Sequence, residues 1–338
     1  METKIYHITD PASSTGKAAL VEAGVYIRAG ELVAFPTETV YGLGADALNA
    51  AAVGKIFAAK GRPADNPLIA HICSMEMGEQ LAKFTPMAQK LAEHFWPGPL
   101  TMVMPRHPLV PNVVTAGLET VAVRWPSNPI AAALIAESAT PIAAPSANTS
   151  GRPSPTTATH VAEDMQGKIP LILDGGAVTI GLESTVVDVR GQYPLLLRPG
   201  KITAEELAEL CGDCLFPKAG DAQRPASPGM KYRHYAPRGQ VYLAQDADEA
   251  MLIAARLADV PLFLVSQETA TQLLAQKIAP SRIKALFADG NFNQYAQSIF
   301  AALRDADSAD EQNIVVETVP EQGLGLAIMN RLKKAAAK

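Results

Sequence analysis

A chain of 338 residues with 48% apolar and only 19% charged side chains can fill more than one core, so two domains are expected and a disordered chain is excluded. A net charge of −5 argues against a non-specific grip on nucleic acid, although a local basic cleft would be averaged out. Three cysteines, an odd count, do not fit a disulfide framework.

Met1 to Asp10 carries no basic stretch followed by an apolar one, and no apolar run approaches a membrane span, so the cytosol is the expected compartment. In chain order, periodicity predicts a helix over 17–28 and a strand over 31–35. A polar loop, Pro36 to Gly44, follows that strand. A helix over 51–59, a buried strand over 67–72 and an amphipathic helix over 86–95 come next. Strands at 100–104 and 121–124 precede a helix over 130–137 and a strand over 141–144. A threonine-capped helix over 156–165 leads to a strand at 171–173. Residues 184–189 and 194–198 read as a hairpin turning through Gly191.

Cys211-Gly-Asp-Cys214 has metal-like spacing but no second pair, and reads as the end of the helix that follows Thr203. Residues 216–238, rich in Pro and Gly and without a period, read as a linker between domains 1–215 and 239–338. Beyond it, strands at 241–243, 262–265, 283–287 and 313–317 alternate with helices at 247–257, 268–277, 293–304 and 326–334. That alternation predicts a parallel sheet covered by helices. Gly323-Leu-Gly325 opens the last helix and offers a weak anion-site signal.

The chemistry concentrates in the first region. Phe35-Pro-Thr-Glu-Thr-Val-Tyr-Gly-Leu-Gly44 turns an apolar strand into hydroxyls and glycines, and Lys60-Gly61-Arg62 delivers two cations. Ser146-Ala-Asn148 follows another strand. Arg124 and Arg198 end strands, and Ser184 opens one. Guanidinium forks, hydroxyls and free backbone N–H groups are what a polyphosphate needs. Ser13-Ser-Thr-Gly-Lys17 lacks the first glycine of a Walker loop, and neither a G-x-S-x-G elbow nor an H-E-x-x-H pair occurs. The sequence thus offers no ready covalent nucleophile and no metal cage. His71, after Leu68-Ile-Ala, reads on its own as a satisfied core histidine.

Lys60-x-Arg62 with Ser146-x-Asn148, together with the stretches 35–44 and 61–68, resembles the YrdC-like family, and residues 227–237 look like its two-domain form. The resemblance spans about residues 13–237. It implies an α/β fold: a twisted mixed sheet with an open cleft, joined to a smaller Rossmann-like domain. The activity it implies is nucleotidyl transfer, condensing L-threonine, bicarbonate (or carbon dioxide) and ATP into threonylcarbamoyl-adenylate and pyrophosphate. A separate transferase complex would then use the product to modify tRNA.

By the same resemblance, Thr39, His71, Arg124, Ala144 and Ser184 would surround L-threonine, with Arg124 on its carboxylate. Arg62, Asn66, Thr120, Ser146, Asn148, Ser154 and Arg198 would hold ATP, and Lys60 would line the same cleft. Lys60, Arg62 and Arg124 would neutralise charge during reaction, with Mg²⁺ carried through the phosphates. Tyr235, or its neighbour Tyr232, would close over the nucleotide from the linker. Neither membrane association nor stable nucleic-acid binding is expected. An RNA-binding module and a ligand-sensing regulatory protein are the alternative classes.

Overall fold

The computed structural model describes residues 1–217 and 235–337, so Tyr232 and most of the expected linker lie outside the described residues. The contacts divide into two units. The first holds the described residues of Met1–Ser150, Pro155–Thr179 and Glu183–Lys231; the second holds those of Gly151–Ser154, Ile180–Leu182 and Tyr232–Lys338.

The strands of the first unit are β1 (Lys4–His7), β2 (Val33–Phe35), β3 (Gly42–Asp46), β4 (Ile69–His71), β5 (Leu100–Pro105), β6 (Thr120–Arg124), β7 (Ile142–Ala143), β8 (Leu171–Asp174), β9 (Thr185–Asp188) and β10 (Leu195–Arg198). They form one sheet in the order β1-β8-β2-β3-β7-β4-β6-β5-β9-β10. Its pairings are mixed: β4–β6 and β5–β9 run parallel, whereas β5–β6 and β9–β10 run antiparallel. This is the mixed α/β architecture that the sequence implied.

Helices α1 (Ser14–Arg28) and α6 (Pro129–Ser138) cover part of one face. Leu20, Ala23 and Ile27 of α1 meet Ile130, Leu134 and Ile135 of α6 over Val33, Phe35, Leu171 and Leu173. Gly24 permits this approach, since a Cβ there would stand 2.9 Å from the Glu137 carbonyl oxygen. Helix α2 (Ala50–Lys60) is capped by Asn49, whose side chain accepts from the N–H groups of Ala51 and Ala52. Helix α7 (Ala158–Met165) is capped by Thr157, and α8 (Ala204–Cys211) by a Thr203–Glu206 capping box. Helix α8 ends at Cys211, as the sequence reading had it. The short helices α3 (Met75–Leu81) and α5 (Asn112–Thr115) escaped it, whereas α4 (Pro86–Phe95) was expected.

The second unit alternates strictly: β11 (Gln240–Ala244), α9 (Ala247–Ala254), β12 (Leu262–Ser266), α10 (Gln267–Ala275), β13 (Ile283–Phe287), α11 (Phe292–Ser308), β14 (Asn313–Glu317) and α12 (Leu324–Ala336). Its sheet, β11-β14-β12-β13, is wholly parallel. Phe263, Val265, Leu273 and Val315 centre one of its cores. Among the described residues, no helix is long and apolar enough to cross a membrane.

One element contradicts periodicity. The stretch expected as loop through Gly44 contains most of a strand, β3, paired antiparallel to β2 with Phe35 opposite Gly42 and Val33 opposite Gly44. Its glycines answer to crowding: a Cβ on Gly44 would lie 2.8 Å from both Phe35 Cε1 and Ile142 Cγ2. Gly44→Ala should therefore destabilise the fold by about 1–3 kcal/mol through overpacking. Urea unfolding followed by circular dichroism checks this, and an unchanged midpoint would contradict it.

Candidate active site

Strand register assembles the site. Residues paired across neighbouring strands share a face, as do residues two apart on one strand. His71 on β4 pairs with Arg124 on β6, Arg124 with Thr101 on β5, Thr101 with Val186 on β9, and Val186 with Arg198 on β10. One row of side chains therefore crosses five strands, a span of about 19 Å at normal strand spacing. Ser184 lies two residues before Val186 and joins the same face.

Arg124, only 3% exposed, is the centre of this row. Its Nη2 stands 2.8 Å from Glu38 Oε1, its Nη1 donates to Thr39 Oγ1 at 2.9 Å, and its Nε donates to the Gly98 carbonyl at 3.3 Å. The loop between β2 and β3 supplies Glu38 and Thr39. Thr37 folds that loop: its hydroxyl donates to the Val40 carbonyl and accepts from the N–H groups of Thr39 and Val40. With its proton so committed, Thr37 accepts the Thr39 hydroxyl at 2.8 Å, which orients the Thr39 oxygen toward Arg124.

Burial alone would raise the Glu38 carboxyl. The charge and hydrogen bonds of Arg124, with the N–H of Ser127 at 3.2 Å, outweigh burial and hold it below the usual carboxylate range. Its other oxygen, Oε2, is buried and has no partner. His71 lies edge-on to Phe35, with ring centroids 6.3 Å apart. Burial first, then the neighbouring Arg124 charge, push its pKa down to about 3, so the ring is neutral. Its Nδ1 is also without a partner. At the far side of the row, Arg198 donates from Nε and Nη2 to the Ser184 carbonyl and from Nη2 to the Ser184 hydroxyl. The same hydroxyl meets Thr101 Oγ1 at 2.8 Å.

A second cluster is built on the loop after β7. Lys60, at the end of α2, donates its ammonium to the carbonyls of Ser146 and Asn148. Ser146 Oγ donates to Asn148 Oδ1 at 2.5 Å. The spacing of Lys60 and Ser146-x-Asn148 thus has a local cause: the cation organises the loop that carries the two polar side chains. Leu43 N–H to Pro145 O and Ala147 N–H to Tyr41 O tie that loop to the start of β3. Ala144 is buried just before it and donates its N–H to Ile69.

Arg62 donates to the carbonyls of Asn66 and Pro67. Asn66 is 1% exposed, and both polar atoms of its amide lack partners. Asn66 precedes β4 and Thr120 opens β6, so both lie toward the start of that parallel pair, whereas His71 and Arg124 close it. At 3.3 Å per residue Thr120 stands about 13 Å from Arg124. The orphaned buried atoms of Glu38, Asn66 and His71 are costly in a finished core. Glu38 and His71 lie toward one end of the β4–β6 pair and Asn66 toward the other.

Ser154 and Tyr235 belong to the second unit. Tyr235 is 5% exposed there, stacked on Phe300 with centroids 5.3 Å apart. Two site residues escaped the sequence reading, Glu38 and Thr101. The signal for Glu38 was present: a carboxylate inside an otherwise apolar and small-residue stretch needs a buried cation. Thr101 gave none, because a threonine in a strand is ordinary.

The sequence profile of the family described as "Telomere recombination" (Sua5, YciO and YrdC) matches residues 25–200, and that of "Threonylcarbamoyl-AMP synthase, C-terminal domain" matches residues 202–337. The chain is similar to the threonylcarbamoyl-AMP synthase of Pyrococcus abyssi, at 48% identity over 320 residues covering 93% of each chain. It is similar to that of Bacillus subtilis at 45% identity over 343 residues, 99% of this chain and 98% of the relative. The crystal structure of P. abyssi Sua5 complexed with L-threonine matches with a TM-score of 0.86 at 44% identity, covering 99% of this chain and 98% of that one.

The neutral His71 has a consequence for stability. The unfolded chain takes up a proton on this residue below its ordinary value of 6.5, which the folded chain refuses down to about 3. Between those limits the unfolded state binds more protons, so stability falls as pH falls, by up to about 1.4 kcal/mol per pH unit. Glu38, whose carboxyl is depressed, adds stability above its unfolded value that is lost at still lower pH. In urea unfolding between pH 7.5 and 5, His71→Phe should flatten the dependence. An equal slope in both proteins would contradict a neutral folded His71.

Proposed function

This chain belongs to the two-domain YrdC-like family of threonylcarbamoyl-AMP synthases and is an enzyme of that kind, and we propose that its N-terminal unit condenses L-threonine, bicarbonate (or carbon dioxide) and ATP. The products are threonylcarbamoyl-adenylate and pyrophosphate. The adenylate serves threonylcarbamoyladenosine modification of tRNA, which a separate transferase complex completes.

The observation that carries this reading is Arg124 in its buried row. A guanidinium has five N–H groups. Hydrogen bonds to Gly98 and Thr39 engage two; Nη2 stands 2.8 Å from Glu38 Oε1 as an ion pair but has no hydrogen-bond partner. Nη2 and the remaining Nη1 N–H receive the L-threonine carboxylate. Neutral His71 and the free oxygen of Glu38 are then acceptors or donors for the amino and hydroxyl groups, with Thr39, Ala144 and Ser184 shaping the rest of the subsite. Asn66, with its unsatisfied amide, joins Arg62, Thr120, Ser146, Asn148 and Arg198 on ATP. Ser154 and Tyr235 are assigned to the nucleotide by the family resemblance alone.

The reaction needs no protein nucleophile. The neutral threonine amine adds to the carbon of carbon dioxide and gives up one N–H proton to water to form a carbamate; with bicarbonate the new C–N bond replaces a C–O bond and water leaves. A carbamate oxygen forms a bond to the α-phosphorus, the bond from that phosphorus to the bridging oxygen breaks, and pyrophosphate leaves. The protein contributes alignment and fixed positive charge where negative charge accumulates. A Mg²⁺ taking part would be carried mainly through phosphate oxygens of ATP.

Pyrophosphate release assayed with threonine, with serine and with no amino acid tests the reaction, and release independent of threonine would refute it. Arg124→Ala alone would leave the Glu38 carboxylate buried without its cation, at a cost of about 3–5 kcal/mol. The double variant Arg124→Ala/Glu38→Gln avoids that charge. It should raise the threonine KM at least tenfold, as loss of a charged hydrogen-bonded pair implies, with a smaller change for ATP. Equal effects on both substrates would remove Arg124 from the amino-acid subsite. Asn66→Ala should do the converse, weakening ATP more than threonine.

A further inference from the structure

The hydroxyls of Thr101 and Ser184 share one hydrogen bond, and its direction decides what the site offers a substrate. Their oxygens stand 2.8 Å apart, and the two residues are 0% and 1% exposed. Each hydroxyl brings one proton and two lone pairs. One of the two protons lies in the bond between them, so the other needs an acceptor elsewhere. Among the described residues, Thr101 Oγ1 has Ser184 Oγ as its one hydrogen-bond partner, whereas Ser184 Oγ also accepts from Arg198 Nη2 at 3.0 Å. Thr101, Ser184 and Arg198 all belong to the first unit.

Two proton arrangements satisfy these distances. With Ser184 as donor, the spare proton is on Thr101. It would stand inside the sheet, where the residue opposite on β6 is the cation Arg124 and the residue opposite on β9 is the apolar Val186. Neither side chain can accept it, and a buried donor without an acceptor is costly. With Thr101 as donor, the Ser184 oxygen accepts twice, from Thr101 and from the Arg198 guanidinium, which fills both lone pairs. The spare proton is then on Ser184, on an oxygen that a cation polarises, which strengthens it as a donor. The pair on the other side of Arg124 has the opposite polarity: Thr39 spends its proton on Thr37 and turns its oxygen to Arg124. Arg124 Nη2, apart from its ion pair with Glu38, is a second buried donor on this face without a hydrogen-bond partner. Two such donors suit an anionic oxygen.

We propose that Thr101 is a positioning residue: its hydroxyl donates to Ser184, and the Ser184 proton is thereby left for a carboxylate oxygen of the L-threonine substrate. This rests on the reading that Ser184 borders L-threonine. Thr101 acts only through Ser184. It fills a lone pair that would otherwise be free to face the carboxylate, which is itself an acceptor.

The test uses the full chain. Thr101→Val keeps the branched shape and removes the donor. Affinity for L-threonine, measured by titration calorimetry, should fall about 3- to 10-fold, the scale of one hydrogen bond. The threonine KM should rise to match, with less change in kcat and in the ATP KM. Thr101→Ser keeps a hydroxyl and should recover most of the loss. In a Ser184→Ala background Thr101→Val should add little, since the two side chains act as one unit. A lowered melting temperature with unchanged threonine affinity would overturn the proposal, as would a full Thr101→Val effect in the Ser184→Ala background. If Thr101→Val does not fold, Thr101→Cys, whose thiol is a weak donor, should weaken threonine binding in the same direction. Unchanged affinity there overturns the proposal equally. Should the unaltered protein bind L-threonine yet release pyrophosphate without it, the functional reading fails, while the binding data still decide the role of Thr101. An unaltered protein that binds no L-threonine removes both.

Discussion

The buried pairing of Arg124 with Glu38 is the constraint on which the N-terminal unit turns. A guanidinium 3% exposed in the middle of a sheet can persist only if its charge is answered nearby. Glu38 answers it, and Glu38 can reach it only because the loop after β2 is folded by the Thr37 hydroxyl. That loop in turn is held between β2 and β3, whose pairing depends on glycines at 42 and 44. A motif that reads as a polar loop is therefore the scaffold of a charged centre. The pair also sets the charge state of its neighbours: Arg124 helps keep His71 neutral and keeps Glu38 ionised.

Much of this was legible in the sequence, and the reasons differ from element to element. The C-terminal unit announced itself because four strands and four helices alternate with strong periodicity, and such units fold into a parallel sheet by local rules. Helix α4 was found at its full length because Pro86 starts it and a clear apolar face runs along it. Strand β3 was missed because glycines carry no strand propensity; here they are demanded by Phe35 and Ile142 across the sheet, a contact no local pattern encodes.

The site was legible in its parts and illegible in its arrangement. Cations beside strand ends and hydroxyls beside turns suggested an anionic ligand. The row from His71 to Arg198 depends on the register of five strands far apart in sequence, and nothing short of that register distinguishes it from scattered surface charges. The roles within the row also shift once it is built. Lys60 was read as a cation for phosphate, yet its ammonium is spent on the carbonyls of Ser146 and Asn148. Its charge can still act at short range on an anion bound by that loop, because a buried charge is poorly screened. One side chain thus both shapes the loop and contributes to its potential.

A site that uses alignment and fixed charge, with no protein nucleophile, is sensitive to small displacements of its loops. Loops anchored at one end by a strand and free at the other sample many positions, and each costs entropy to fix. In the N-terminal unit β7 anchors the upstream end of the Ser146 loop. Gly151–Ser154 packs within the second unit, where Arg304 donates to the Pro153 carbonyl and Asp307 pairs with Arg152. Ile180–Leu182 also packs within the second unit, with Gly181 against the backbone of Ala296 and Gln297.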